Sequence, residues 1–585
     1  RAVSDFVFAS RPRAPGELRR ILERRLAPVT ASVEEYAGGW GTLAVARAPH
    51  DPDPVLRDER GITVLIGEPF LRIDPLPAGP AVEPERRAAL HRLLLEGDAD
   101  GWEERLDGPF AALAIDSVRG TGCIVTDLFA WITVFAAEPR RAAEPLVVGT
   151  HVDAVAEAAG ALGEIDPVSA VELMGYLTIA YPRTLYPAVR QVEPASMRAF
   201  GADGWTAEAR AYWRPEERTA YASPGEAAEA LRGALVDDVR RAVDGHARVG
   251  MLLSGGEDAR AVLGALPRGL ALDCFVYGEA ENREIRSARR VARAYGASVT
   301  FARRPPGHDL AHFEAVAAMV GSQNEFIDVH GYGFHASLGM DRYPVMLGGY
   351  SSDALLKGDN VRRWARRRLD RGEAPGIRPA RPPVLPGVRA ELLAEAGARR
   401  TAFRRWLAEL RPASADEWSF IYPFSMRKYA AVFHGNRRLF RSHEPFMSSG
   451  VVRLAASVPQ AWKVDRALFY RAMRPLLARS WYVPHTRNRL PYFPHPVNAA
   501  ARPLLGLARG ARALLTGSWN AGQESWPDWD DLVRIPLMRE KTAAYPLADS
   551  PLRSVFAADD PARAAAAWPG LNQLVALQLA CLTRG

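Results

Sequence analysis

Cysteine is scarce in this chain: Cys123, Cys274 and Cys581 are the only three in 585 residues. They lie far apart and fit neither a zinc nor a redox spacing, which leaves them as small buried residues. Long apolar runs are missing as well. None approaches the ~18–20 residues needed to span a bilayer, and residues 1–18 lack the apolar centre and small-residue cleavage site of a secretory signal. A cytoplasmic protein with no membrane partner is expected. Nor is there a large excess of one charge. Lys and Arg number 75 against 68 Asp and Glu, a formal +7, which suits an anionic ligand such as a nucleotide phosphate and does not call for nucleic acid. Internal repeats and polar tracts are also absent. What is present is 48% hydrophobic and 24% charged residues, a folding composition on a chain too long for one core.

The pattern changes once along the chain. Residues 1–212 read as short strands, such as Gly61–Gly67 and Phe110–Asp116, with helical stretches at Pro15–Arg25 and Pro84–Glu96. That mixture predicts an α+β domain. A join near Tyr212–Pro215 leads to a helix start at Ser223-Pro224-Gly225-Glu226, opening a second domain over 213–585. There, strands Val249–Leu253, Leu270–Tyr277 and Ala297–Ala302 alternate with helices Ala227–Ala242, Ala259–Ala265 and Glu284–Tyr295. Such alternation makes a parallel doubly wound sheet. The Pro-rich stretch Ile377–Gly387 reads as a mobile loop. The basic run Arg362–Arg371 reads either as a solvated helix face or as a patch for a peptide or phosphate.

Directly after the first of those strands comes Leu253-Ser254-Gly255-Gly256-Glu257-Asp258-Ala259. Two glycines permit a tight turn that brings backbone N–H groups to a phosphate, and the next helix aims its positive end at the same place. Ser254 can donate a hydroxyl, and Asp258 can hold a magnesium ion between phosphate oxygens.

Ser254–Asp258 resembles the pyrophosphate loop of the N-type ATP pyrophosphatases, with Ala259 where Ser is usual. Further segments, in the same order along the chain, are similar to asparagine synthetase and β-lactam synthetase. These are Arg283–Arg289 after the second strand, Gly349-Tyr350-Ser351-Ser352-Asp353, and Glu444–Val452, in which the family's Asp is replaced by Ser448. In the first domain Ile66–Phe70, Leu106–Ala111 and Val125–Ala130 are similar to amidotransferase segments. The resemblance covers about residues 55 to 495. It implies an Ntn-type glutaminase-like α+β domain, then an α/β ATP-pyrophosphatase-like domain with a helical C-terminal extension. It also implies ATP and Mg2+ as cofactors, with Leu253, Ser254, Gly255, Gly256, Asp258, Tyr277 and Gly349 around the nucleotide. Asp258 and Asp353 would hold the metal, though Asp353 also reads as a helix N-cap.

Glutamine hydrolysis in this family uses an amino-terminal cysteine and an oxyanion-hole Asn. The sequence begins Arg1-Ala2-Val3, and Leu71 follows Phe70 where the Asn is expected. An inactive glutaminase is therefore expected, and the amine must come from a substrate. Tyr350 stands where glutamine-dependent asparagine synthetases carry Glu and where β-lactam and carbapenam synthetases carry Tyr. The resemblance thus gives Tyr350 as the amine-activating residue, with Glu417 as its partner and Arg489 in place of the family's lysine; packing for Tyr350 and a surface position for Arg489 are the plainer readings. The function implied is ATP-dependent amide formation between a carboxylate and an amine. Lasso peptide macrolactam closure on a precursor peptide is preferred, with a protease or leader-binding protein as partner. A β-lactam-forming enzyme, an ammonia-dependent asparagine synthetase and a non-catalytic nucleotide-binding scaffold remain open.

Overall fold

A computed structural model describes residues 5–584 apart from 27, 28, 30, 31, 49, 51, 52, 68, 73–82, 97–100, 142, 362–376, 487, 488 and 517–526. The basic run Arg362–Arg371, together with Arg487 and Asn488, lies outside the described residues.

The first half holds two large antiparallel sheets, besides the two-stranded pair Phe70–Leu71 with Leu106–Asp107. One runs Val189–Gln191, Phe135–Ala137, Val147–Gly149, Asp5–Ala9, Gly41–Arg47, Ser32–Gly38. The other runs Gly204–Trp205, Ser196–Gly201, Thr121–Thr126, Phe110–Asp116, Gly61–Gly67, Val55–Arg57. Alternation along the strands decides how they stack. Phe6, Phe8, Leu43 and Val45 meet Ile62, Val64, Ile66, Leu113 and Ile115 between the sheets. The opposite faces are covered by helices. Val7, Ala9 and Ala44 pack under Leu18, Ile21 and Leu22 of helix Glu17–Leu26, while Leu65, Ala112 and Val125 pack under Leu90 and Leu94 of helix Glu83–Glu96. The result is a helix–sheet–sheet–helix sandwich; the mixed pattern predicts sheets with helices but not this layering.

The second half begins on helix Pro224–Val243, where the Ser223 hydroxyl accepts from the Glu226 N–H and Pro224 occupies the first turn. Its five-stranded sheet is parallel, in the order Ser298–Arg303, Ala271–Gly278, Arg248–Leu252, Met346–Leu347, Ser442–His443. The strand order reverses beside Arg248–Leu252, so the loops after residues 252 and 347 leave the sheet at its topological switch point. Open α/β sheets bind ligands there.

Two expectations are corrected. The stretch Ile377–Gly387 is pinned, not free. The Arg381 carbonyl accepts from the Tyr176 hydroxyl at 2.6 Å, the Pro386 carbonyl accepts from Trp568 Nε1 at 2.9 Å, and Leu385 is buried. Proline fixes its course and neighbouring donors hold it. The helix after the Gly-Gly turn starts at Glu257, two residues early, which puts Glu257 and Asp258 in its first turn, where carboxylates are favoured. No described helix is long and apolar enough to cross a membrane.

Candidate active site at the sheet switch point

Strand Arg248–Leu252 delivers the Ser254–Asp258 loop, with Leu253 N still bonded to the Phe275 carbonyl at 2.9 Å. Ser254 Oγ accepts from Gly256 N at 3.1 Å, which closes the turn. Gly255 is required by close approach, because a Cβ there would lie 2.7 Å from Ser287. Strand Met346–Leu347 delivers the second loop onto the first. Gly349 lies against Asp258 and Ala259, a Cβ on it falling 3.0 Å from Ala259 N; at Gly348 a Cβ would fall 2.1 Å from Glu444 Oε1. Ser351 caps helix Ser352–Leu356 at φ 75°, a conformation costly for a non-glycine residue and found at functional sites.

Charged side chains crowd this junction. Lys357 is buried with its Nζ 3.1 Å from Glu257 Oε1 and 2.6 Å from Asp258 Oδ1. Glu257 Oε1 also meets Arg466, and Arg489 Nη2 at 3.2 Å. Burial acts to raise the Glu257 pKa, but Lys357, Arg489 and Arg466 outweigh it and hold the carboxyl well below the usual range. Lys357 is likewise kept charged by Asp258 and Glu257 against burial. Asp258 accepts from Ser352 Oγ. Asp353 accepts from Arg427 Nη2 at 2.9 and 3.1 Å. Three cations thus converge on the first turn of a helix below a glycine turn, an arrangement that suits a polyphosphate.

The Tyr350 N–H donates to Glu444 Oε2 at 2.8 Å, and burial pushes the Glu444 carboxyl up to about 7. The Tyr350 hydroxyl donates to the Tyr429 carbonyl at 2.9 Å and accepts from Arg427 Nε at 3.1 Å, while the Arg427 guanidinium covers its ring. Burial raises the phenol above its usual value and Arg427 opposes the shift. Glu417 is not the group that holds it. That carboxylate is fully buried against Lys463 Nζ at 3.4 Å, beside Trp418; its helix ends on apolar packing that draws it inward. Tyr277, on strand Ala271–Gly278, stacks on Phe334 with centroids 5.7 Å apart.

The switch point therefore brings together Leu253, Ser254, Gly255, Gly256, Asp258, Gly349, Tyr350, Asp353 and Arg489, and leaves Glu417 elsewhere. Sequence reading missed Glu257, Lys357, Arg427, Glu444 and Arg466. Lys357 had a signal, four residues after Asp353 on one helix face; Arg427 and Arg466 had none. Among the described residues no three His, Cys, Asp or Glu side chains form a metal cage. Mg2+ commonly takes one or two carboxylates and completes its shell with phosphates and water. Asp258 and Asp353 fit that use, although each has a cation seated on it.

In the first half, Cys123 is buried, and burial pushes its thiol up to about 12, which removes it as a nucleophile. The amidotransferase-like segments carry structural bonds. Asp127 accepts from the N–H groups of Phe110, Phe129 and Trp131. Asp107 reaches the second half, accepting from Ser449 N at 2.7 Å and Arg241 Nη1 at 2.8 Å.

A parallel sheet with a glycine turn and clustered cations at its switch point is an α/β domain of the kind that binds ligands at that point. Residues 230–502 match the asparagine synthase family model, which supports a place in the asparagine synthetase superfamily and, in general, ATP-dependent amide-bond formation. No curated protein matches the chain.

Proposed function

We propose that this protein is an ATP-dependent amide synthetase that takes its amine from a substrate, with macrolactam closure of a precursor peptide as the reaction. One observation carries the first part: Lys357, Arg466 and Arg489 meet Glu257 in the helical turn that follows the Ser254–Gly256 loop. A triphosphate entering this turn would exchange the Glu257 and Asp258 carboxylates for phosphate oxygens on the same cations. Asp258, released from Lys357, and Asp353 would then hold Mg2+, which when bound neutralises phosphate charge. A substrate carboxylate attacking the α-phosphate yields an acyl-adenylate and pyrophosphate, and the amine then displaces AMP. Arg489 offers a planar fork to the charge that develops.

The choice of a substrate amine rests on the resemblance, on Tyr350 and on the inert Cys123. With Glu417 elsewhere, the charged group beside the Tyr350 oxygen is Arg427, at 3.1 Å, which opposes the upward push of burial on the phenol without cancelling it. The products decide the reading. Purified protein with ATP, Mg2+ and a precursor peptide should release pyrophosphate and AMP without consuming glutamine. ADP with phosphate, or glutamate released from glutamine above background, would overturn it.

A further inference from the structure

Residues 466–523 contain nine arginines and no Asp, Glu or Lys, although the chain as a whole is nearly balanced in charge. Arg471, Arg474 and Arg479 are exposed within this stretch. Among the described residues it also carries the largest group of exposed large apolar side chains: Trp481 and Tyr482, each 51% exposed, Val497 at 46%, Leu504 at 69% and Leu507 at 71%. The last three belong to helix His495–Thr516. Spacings of seven and three residues put Val497, Leu504 and Leu507 on one helix face. An isolated helix with a water-exposed apolar stripe gains little from its own propensity, and a clustered apolar surface of this kind marks an interaction site.

Asn498 ties this helix to the segment that follows Arg489. Asn498 Nδ2 donates to the carbonyls of Leu490 at 3.0 Å and Phe493 at 2.7 Å, and Asn498 Oδ1 accepts from Leu490 N at 2.6 Å. Leu490 follows Arg489, which pairs with Glu257. Between helix and site runs an aromatic and arginine ledge, with Trp481 beside Phe493, Phe493 against Tyr492, and Arg474 over the Tyr492 ring at 5.0 Å.

We propose that this face, the exposed stripe of helix His495–Thr516 with the ledge of Arg474, Trp481, Tyr492 and Phe493, docks an acidic peptide segment with interspersed apolar residues, the substrate peptide of the reaction; this rests on the amide-synthetase reading above. Charge complementarity selects the sign. The total absence of carboxylates over 58 residues leaves nothing in this stretch to repel an anionic chain. Continuity with the site selects a peptide over a bilayer. The occupant must deliver a carboxylate to Arg489, a few residues from Asn498, and a flexible chain can do this while a membrane surface cannot. The asparagine synthase match ends at residue 502, so Leu504 and Leu507 lie beyond what the family model covers.

The test uses the full-length protein without ATP, so that docking is read apart from turnover. Three probes are compared at about 0.15 M salt, where exposed charges act over about 8 Å: a fluorescein-labelled 15-residue Glu/Leu peptide, its Lys/Leu counterpart, and phosphatidylglycerol vesicles. Anisotropy should show saturable binding of the Glu/Leu peptide at least tenfold tighter than of the Lys/Leu peptide. Leu504→Glu with Leu507→Glu, both on exposed positions, should weaken that binding at least tenfold. Equal binding of the two peptides, or unchanged binding in the double variant, would overturn the proposal. So would cosedimentation with vesicles that the double variant abolishes, since that outcome assigns the face to a membrane. ATP–pyrophosphate exchange, measured separately, reports on the amide-synthetase reading alone.

Discussion

At the scale of single residues, Tyr350 separates the chemical readings. Tyr350→Phe keeps the ring against Phe424 and beneath Arg427 but removes the oxygen shared with Tyr429 and Arg427. If that oxygen handles the amine proton, ATP–pyrophosphate exchange survives while amide product falls roughly 10²–10⁴-fold, the usual contribution of a positioned base. Equal losses in both assays would discard the role. Tyr350 itself was legible because a family motif surrounds it. Its partner was not: local likeness pointed to Glu417, whereas the residue that reaches the hydroxyl is Arg427, 77 positions away on an irregular stretch with no motif. Lys357 shows the same asymmetry. A buried lysine is read in sequence as a surface one, and only the two carboxylates around it explain why it stays inside.

At the scale of elements, the strand and glycine turn around Ser254–Asp258 were legible because each obeys a local rule, an apolar run and a Gly-Gly pair. The helix start was not: the sequence places it at Ala259, two residues late, because Glu257 and Asp258 read as loop. The juxtaposition of the two loops was less legible still, since it depends on strand order. Gly348 is where they lock. In Gly348→Ala the added methyl would collide with the Glu444 carboxylate, which must then leave the Tyr350 N–H. The expected cost is about 1–3 kcal/mol of stability, the range for overpacking a filled site, with product formation lost before the fold is. Denaturant unfolding and turnover measured side by side check this; full activity would show that Glu444 need not stay in place. The helical pattern of Glu83–Glu96 and the strands Gly61–Gly67 and Phe110–Asp116 could be read directly. The pinning of residues 377–387 could not, because its partners Tyr176 and Trp568 lie roughly 200 positions away on either side.

At the scale of the whole molecule, a change of pattern near residue 212 was legible, but not what ties the two stretches together. Asp5, in the first strand, is buried with Arg437 Nη2 at 2.8 Å, Arg438 Nε at 2.8 Å and Arg438 Nη2 at 2.7 Å, and its Oδ1 also accepts from Thr150 Oγ1. Burial works to raise the Asp5 pKa, but the two arginines prevail and hold it far below the carboxylate range. A depressed folded-state pKa contributes stability above the unfolded value near 3.9, which is lost as pH falls through that region. Asp5→Ala should cost about 3–5 kcal/mol near neutral pH, the effect of breaking a buried ion pair, and should flatten the acid limb of the stability curve. A loss under about 1 kcal/mol would show that the first half is not clamped this way. The same clamp has a consequence in time. Its arginines lie 432 and 433 residues after Asp5, so at ~5–20 residues per second a ribosome needs roughly 20–90 s to supply them. Throughout that interval the nascent first half carries a carboxylate whose counter-charges have not yet been made, and the strand that bears it can settle only provisionally until the distant helix emerges.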